Sequence, residues 1–115
     1  MTREFVMLPE FDKQWQNLGL HDDELRQLQE ILLENPKAGK VIRGTRGLRK
    51  MRIAFGGQGK SGSGRIAYVD FTVHETIYLI TAYSKNDKDN LTKAERNAIA
   101  KLINMLDQGF RNRRI

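Results

Sequence analysis

The chain has no cysteine, which excludes disulfides and thiolate metal sites. No hydrophobic run approaches the length that spans a bilayer. The segment from Met1 to Phe11 carries Arg3 and Glu10 and lacks the apolar stretch of a secretory signal. These absences predict a cytoplasmic protein with no membrane association. There are only two histidines, His21 and His74, far apart in sequence. With no third ligand near either, a metal site is not expected, and His74 reads as a solvated turn residue. No Ser-His-Asp or Cys-His arrangement is present. The acidic residues do not pair on any one predicted strand, so a two-carboxylate glycosidase site has no support. No cofactor is implied.

The most informative absence is local. Between Asn35 and Val69 there is no carboxylate, yet the segment holds nine basic side chains: Lys37, Lys40, Arg43, Arg46, Arg49, Lys50, Arg52, Lys60 and Arg65. The net charge of the whole protein is +6, so the remainder of the chain is net −3. A field focused in this way attracts polyanions, and phosphate neutralisation by Lys and Arg is the main source of nucleic-acid affinity. The sequence pI near 9.8 agrees. Membrane-surface binding usually needs an amphipathic helix with its cations on one face, whereas these cations sit among glycines.

At 115 residues and 39% hydrophobic composition the chain predicts one domain, residues 1–115, with a modest single core. Arg3 to Leu8 reads as a strand ended by Pro9. Glu10 to Leu18 reads as a short helix stopped at Gly19. Asp22 to Glu34 is a clearer helix, with Leu25, Leu28, Ile31 and Leu32 at helical spacing and carboxylates at its positive end. Leu48 to Phe55 alternates as a strand, with Lys50 and Arg52 opposite Met51, Ile53 and Phe55. Gly56 to Gly64 reads as a flexible hairpin loop. Two further strands span Gly64 to Phe71 and Thr76 to Tyr83, joined by the short turn Thr72 to Glu75. The last element opens with a capping box at Thr92 and Glu95 and carries the stripe Ala98, Ile99, Leu102, Ile103 and Leu106. Gly109 suits its C-cap, which leaves a basic tail over about 109–115. The order β, α, α, β, β, β, α predicts an α+β fold: a twisted antiparallel β-sheet with helices packed on one face.

The run Ala54-Phe-Gly-Gly-Gln-Gly59-Lys60-Ser61 nearly matches a phosphate-binding P-loop. It fails because Ala54 replaces the first glycine and because Gly62 and Gly64 prevent a helix from starting at Ser61. What remains is basic and aromatic. Lys50 and Arg52 share a strand face, Arg65 opens the next strand, and Thr81, Tyr83 and Lys85 share a face at the end of the third. If these faces coincide, they form a groove that binds RNA backbone and stacks a base on Tyr83. If they do not, Tyr83 is a half-buried strand tyrosine and the cations are solvated.

The blocks Gly44-Thr-Arg-Gly47-Leu48-Arg49-Lys50-Met51-Arg52, Gly59-Lys60-Ser61-Gly62, Arg65-Ile66-Ala67-Tyr68, Tyr83-Ser84-Lys85-Asn86-Asp87 and Leu91-Thr92…Glu95, in that order, resemble the RelE/HigB superfamily. The similarity runs from about Asn35 to Leu106 and is nearest the HigB-type branch. Its members are toxins of type II toxin–antitoxin systems. The resemblance implies a compact RelE-like fold and a ribosome-dependent mRNA endoribonuclease that halts translation. It implies an antitoxin partner of helix-turn-helix character encoded adjacently, the ribosome and mRNA as further partners, and operator DNA contacted only through the antitoxin complex. It assigns catalysis to Lys50, Arg52, Arg65, Tyr83 and Lys85, while Arg46, Arg49 and Lys60, as further cations of the basic segment, are the candidate RNA-binding residues. Arg49 alternates to the opposite strand face. Arg46 departs from the family by replacing a small residue, often glycine, before Gly47.

The chemistry implied is attack by the substrate's own 2′-hydroxyl on the adjacent phosphate. Lys85 or Lys50 would be the base, Arg65 and Arg52 would stabilise the phosphorane, and Tyr83 would stack on a base or orient the hydroxyl. A nucleic-acid-binding module without catalysis, and a basic face that only receives an acidic antitoxin segment, remain as alternatives.

Overall fold

The computed structural model describes residues 2–53, 64–85, 88 and 90–112. The elements are β1 (Glu4–Met7), α1 (Pro9–Asn17), α2 (Asp22–Glu34), β2 (Lys40–Val41), β3 (Arg49–Ile53), β4 (Gly64–Phe71), β5 (Thr76–Ser84) and α3 (Lys93–Asn112). The strands form one five-stranded sheet in the order β1-β5-β4-β3-β2. The α+β class holds, the two-residue β2 adds a strand to the expected order, and the layout of the sheet differs from expectation in two ways.

First, the sheet is mixed. β2 to β5 pair antiparallel, but β1 pairs with β5 in parallel, Glu4 beside Thr76 and Met7 beside Leu79. Strand alternation carries no direction, so a parallel pairing leaves no mark in the residue pattern. A side-chain pair fastens the edge: Arg3 Nε donates to Asp70 Oδ1 at 2.8 Å and Nη2 to Oδ2 at 3.3 Å. Both side chains are buried, and the carboxylate holds the Arg3 guanidinium pKa above its ordinary value.

Second, the helices cover both faces rather than one. Gly64 to Val69 of β4 is buried at every position. Ile66 and Tyr68 pack with Phe11 and Trp15 of α1 and with Leu28 and Leu32 of α2. Ala67 and Val69 point the other way and pack with Ile99, Leu102, Ile103 and Leu106 of α3. A strand buried on both sides reads as a continuous apolar run, and Ile66-Ala67-Tyr68-Val69 is such a run.

At the end of α3 the expected C-cap is not used. Gly109 lies inside the helix, and Phe110 carries it onward by stacking on His74 with ring centroids 4.1 Å apart. Phe71 and Tyr78 meet the same ring edge-on at 5.2 and 6.2 Å. Residues 109–112 are therefore helix rather than tail, and His74 is a packed residue rather than a solvated one. Residues 113–115 lie outside the described residues.

Tyr68, fully buried at the centre of β4, organises the segment after α2. Its hydroxyl accepts from the Gly39 N–H at 2.8 Å and donates to the Pro36 carbonyl at 2.8 Å. Burial raises its pKa, so the phenol stays a donor. A Cβ on Gly39 would lie 2.9 Å from both the Lys50 carbonyl oxygen and the Tyr68 ring. Only glycine lets this backbone approach so closely.

Tyr68→Phe leaves a buried N–H and C=O without their partner, and is expected to cost about 1–3 kcal/mol in urea denaturation. Gly109 is the opposite case. A Cβ there meets nothing within 4 Å, so Gly109→Ala is expected to raise stability by about 0.5–1 kcal/mol in the same assay.

Candidate nucleic-acid interface

The register brings most of the anticipated cations to one face. Arg52 stands opposite Arg65, and Arg65 opposite Tyr83, forming a row across β3, β4 and β5. One step along, Lys50 stands opposite Ala67, and Ala67 opposite Thr81. Lys40 stands opposite Lys50 and extends the same face to β2. Lys85 is displaced from this pattern: it lies in the turn just after β5 and is exposed.

Exposure separates these residues. Arg52 is exposed and Lys50 is partly exposed, but Arg65 is only 8% and Tyr83 only 5% exposed. Arg65 Nη1 donates to the Gly64 carbonyl at 3.0 Å. Tyr83 packs with Leu48, Ala67, Val69, Ile80, Leu91 and Ile103. α3 and the segment before it cover the ring, so the expectation that Tyr83 stacks on a base is corrected. What Tyr83 retains is its hydroxyl, which is buried and has no hydrogen-bond partner among the described residues. Its pKa is raised by burial, against the lowering field of Arg65 and with a smaller raising effect from Glu95. The phenol is protonated at neutral pH and suits a donor role, not a base.

Sequence reasoning missed Lys88, Asn90 and Arg96 at this end of the sheet. Lys88 Nζ sits 5.4 Å from the centroid of the Tyr83 ring, a cation–π contact. The same ammonium is ion-paired with Glu95 Oε2. The other oxygen of Glu95 accepts from the Thr92 N–H at 2.7 Å, and Thr92 Oγ1 accepts from the Glu95 N–H at 3.1 Å. The capping box was legible, but the second use of its carboxylate was not, because Lys88 precedes the helix. Asn90 Oδ1 accepts from Lys50 Nζ at 2.7 Å. Arg96 Nη1 donates to the Leu91 carbonyl at 2.7 Å. These contacts form a strap that holds Lys88, Asn90 and Leu91 beside the row.

The remaining predicted residues fall elsewhere. Arg49 lies on the opposite face, where its Nη1 donates to the Gly39 carbonyl at 2.7 Å, so its guanidinium is committed to backbone. Arg46 sits in the β2–β3 hairpin at the other end of β3 from Arg52, exposed and at φ 63°. That left-handed conformation costs a residue with a side chain about 1–2 kcal/mol relative to the right-handed one, a cost that glycine does not carry. Lys60 and the P-loop-like run from Ala54 to Ser61 lie outside the described residues. Among the described residues no group of three or more His, Cys, Asp or Glu could hold a metal ion, and no helix is long and apolar enough to cross a membrane.

A family model described as "RelE toxin of RelE / RelB toxin-antitoxin system" matches residues 9–112. Solved structures of E. coli RelE have the same fold. A double mutant of that toxin in the free state aligns with a TM-score of 0.53 at 17% identity, covering 77% of this chain and 90% of that chain. The isolated toxin aligns with a TM-score of 0.53 at 15% identity, covering 88% of this chain and 99% of that chain. In the intact E. coli RelBE toxin–antitoxin complex the matched chain gives 0.53 at 17% identity, covering 72% of this chain and 96% of that one.

Two outcomes follow from the strap. Tyr83→Phe removes a buried hydroxyl that has no partner and is expected to leave the urea midpoint unchanged or higher. Glu95 is held below its ordinary pKa chiefly by Lys88. Its contribution to stability is therefore complete above the unfolded-state value and is lost as pH falls through the lower folded value, below roughly pH 4. Glu95→Gln should flatten that part of a stability–pH profile measured from about pH 6 to about pH 3.

Proposed function

We propose, since this chain belongs to the RelE toxin family of toxin–antitoxin systems, that it is a ribosome-dependent mRNA endoribonuclease. The observation that carries this reading is the row of Arg52, Arg65 and Tyr83 on one sheet face, with Lys50 and Lys40 beside it. The substrate's 2′-hydroxyl attacks the adjacent phosphorus. The O2′–P bond forms, the P–O5′ bond breaks, the 2′ proton is released and the 5′ oxygen takes up a proton. Arg52, Lys50 and Lys85 are the accessible cations and touch the phosphate, offsetting charge that grows on its non-bridging oxygens. Arg65 adds a fixed positive field from beneath, and the Tyr83 hydroxyl is a proton donor held ready next to it. Among the described residues, Glu95 is the carboxylate held beside the row, and Lys88 neutralises it, so the field stays positive. An antitoxin that masks this face completes the reading. The E. coli relative is seen with its antitoxin RelB.

One observation favours a second reading, RNA binding without cleavage. Arg65 and Tyr83 are nine-tenths buried, and in this conformation a scissile phosphate reaches neither.

Mapping of mRNA ends in a purified translation reaction decides between them. Wild-type protein is expected to cut mRNA only when ribosomes are present. Arg52→Ala and Lys85→Ala are exposed changes that should preserve the fold, and each is expected to slow cutting by about 10²–10³-fold. Tight ribosome binding with no cuts would favour the second reading. Cuts that persist undiminished in both variants would remove these residues from the site.

A further inference from the structure

The β2–β3 hairpin stands apart from the row, and its construction is unusual. Thr45 is fully buried inside the turn, where its Oγ1 donates to the Ile42 carbonyl and accepts from the Leu48 N–H at 3.1 Å. Ile42 N–H donates to the Leu48 carbonyl at 2.8 Å, and Leu48 is fully buried. The turn is thereby pinned from within. Three of its residues have positive φ: Gly44 at 76°, Arg46 at 63° and Gly47 at 104°. A Cβ at either glycine would meet nothing within 4 Å. Conformation, not space, selects glycine at 44 and 47, and the same preference holds at 46.

Position 46 nevertheless carries an arginine. Its side chain is exposed, as are those of Arg43, Lys40 and Lys37, and none of these four has a side-chain hydrogen bond or ion pair among the described residues. A strained residue that makes no contact within the fold points to a role outside it. The turn's own apolar side chains are turned inward, and only Val41 beside it is a large exposed hydrophobic. A protein partner wants an apolar centre to its interface. A rigid loop that offers spaced cations and little else fits a phosphodiester backbone.

We propose that this hairpin is a second phosphate-contact surface, with Arg43 and Arg46 binding RNA backbone outside the cleavage row. The proposal rests on the RNA reading above and extends it. Arg46 and Arg52 lie at opposite ends of β3, and the span from Arg49 to Arg52 alone is about 10 Å at strand rise. The phosphates that meet the hairpin are therefore not the one being cut. They belong to flanking mRNA or to the ribosome's own RNA, and the experiment separates these sources.

Binding of the full chain is measured against vacant ribosomes and against a single-stranded RNA oligonucleotide, each across a salt series. Wild type is compared with Arg46→Gly and with the double variant Arg43→Ala/Arg46→Ala. Arg46→Gly relieves the strained backbone, so its melting temperature is expected to be unchanged or higher. Its binding is nevertheless expected to weaken, and the slope of log K against log salt to fall by about one contact. The double variant should lose about two contacts of slope and at least about tenfold in affinity near 0.1 M salt. Loss on ribosomes alone assigns ribosomal RNA, and loss on the oligonucleotide as well assigns the mRNA strand. Unchanged affinity and slope on both, in folded protein, would overturn the proposal even if cleavage is intact. An equal loss of affinity for poly-L-glutamate would also overturn it, in favour of an acidic protein partner. Slope loss in protein that never cuts mRNA would support the hairpin while sinking the nuclease.

Discussion

The Tyr68 hydroxyl is the tie on which the basic half of the molecule hangs. It sits on the central strand, fully buried, with one bond received from Gly39 and one given to Pro36. That bridge docks the chain leaving α2 against the sheet and sets where β2 begins. Arg49 then closes on the Gly39 carbonyl from β3. With both in place, Lys40 falls opposite Lys50, and the hairpin that follows is aimed by β2 and β3. A hydroxyl deep in the apolar core, rather than any surface charge, thus decides where the cations of the segment from Lys37 to Arg52 stand.

The same strand divides labour between its two faces. Ile66 and Tyr68 belong to the core beneath α1 and α2, and Ala67 and Val69 to the core beneath α3. Arg65 falls on the α3 side. It meets Arg52 and Tyr83 in one row because β3 and β5 both pair antiparallel with β4. Concentrating cations in this way works against the fold through mutual repulsion, which is a common mark of a functional surface. Here the Lys88–Glu95 pair and the Lys50–Asn90 bond hold Lys88 and Asn90 over the row. The site is therefore half covered: Arg52 and Lys85 face outward, while Arg65 and Tyr83 lie underneath.

Much of this was legible in the residues. Alternation placed Lys50 and Arg52 on one face and Arg49 on the other. The pattern Leu91-Thr92…Glu95 marked the start of α3. The absence of carboxylates from Lys37 to Tyr68 located the basic surface. The helical cover on both faces of the sheet also has its mark in the residues. Ile66-Ala67-Tyr68-Val69 has no charged member and only the Tyr68 hydroxyl as a polar group, and a strand without a polar side has no solvent face.

The sequence by itself determined the class of fold, the order of its elements apart from the two-residue strand β2, and the concentration of charge, because these follow from local periodicity and composition. Only the tertiary structure decided the parallel pairing of β1, the burial of Tyr83 and Arg65, and the second role of Glu95. It also made Arg49 a clamp on backbone and pinned the hairpin around Thr45. Each of these depends on a contact between residues whose partner is chosen by packing. A side chain's period fixes the face on which it lies, but what covers that face is settled by elements elsewhere in the chain.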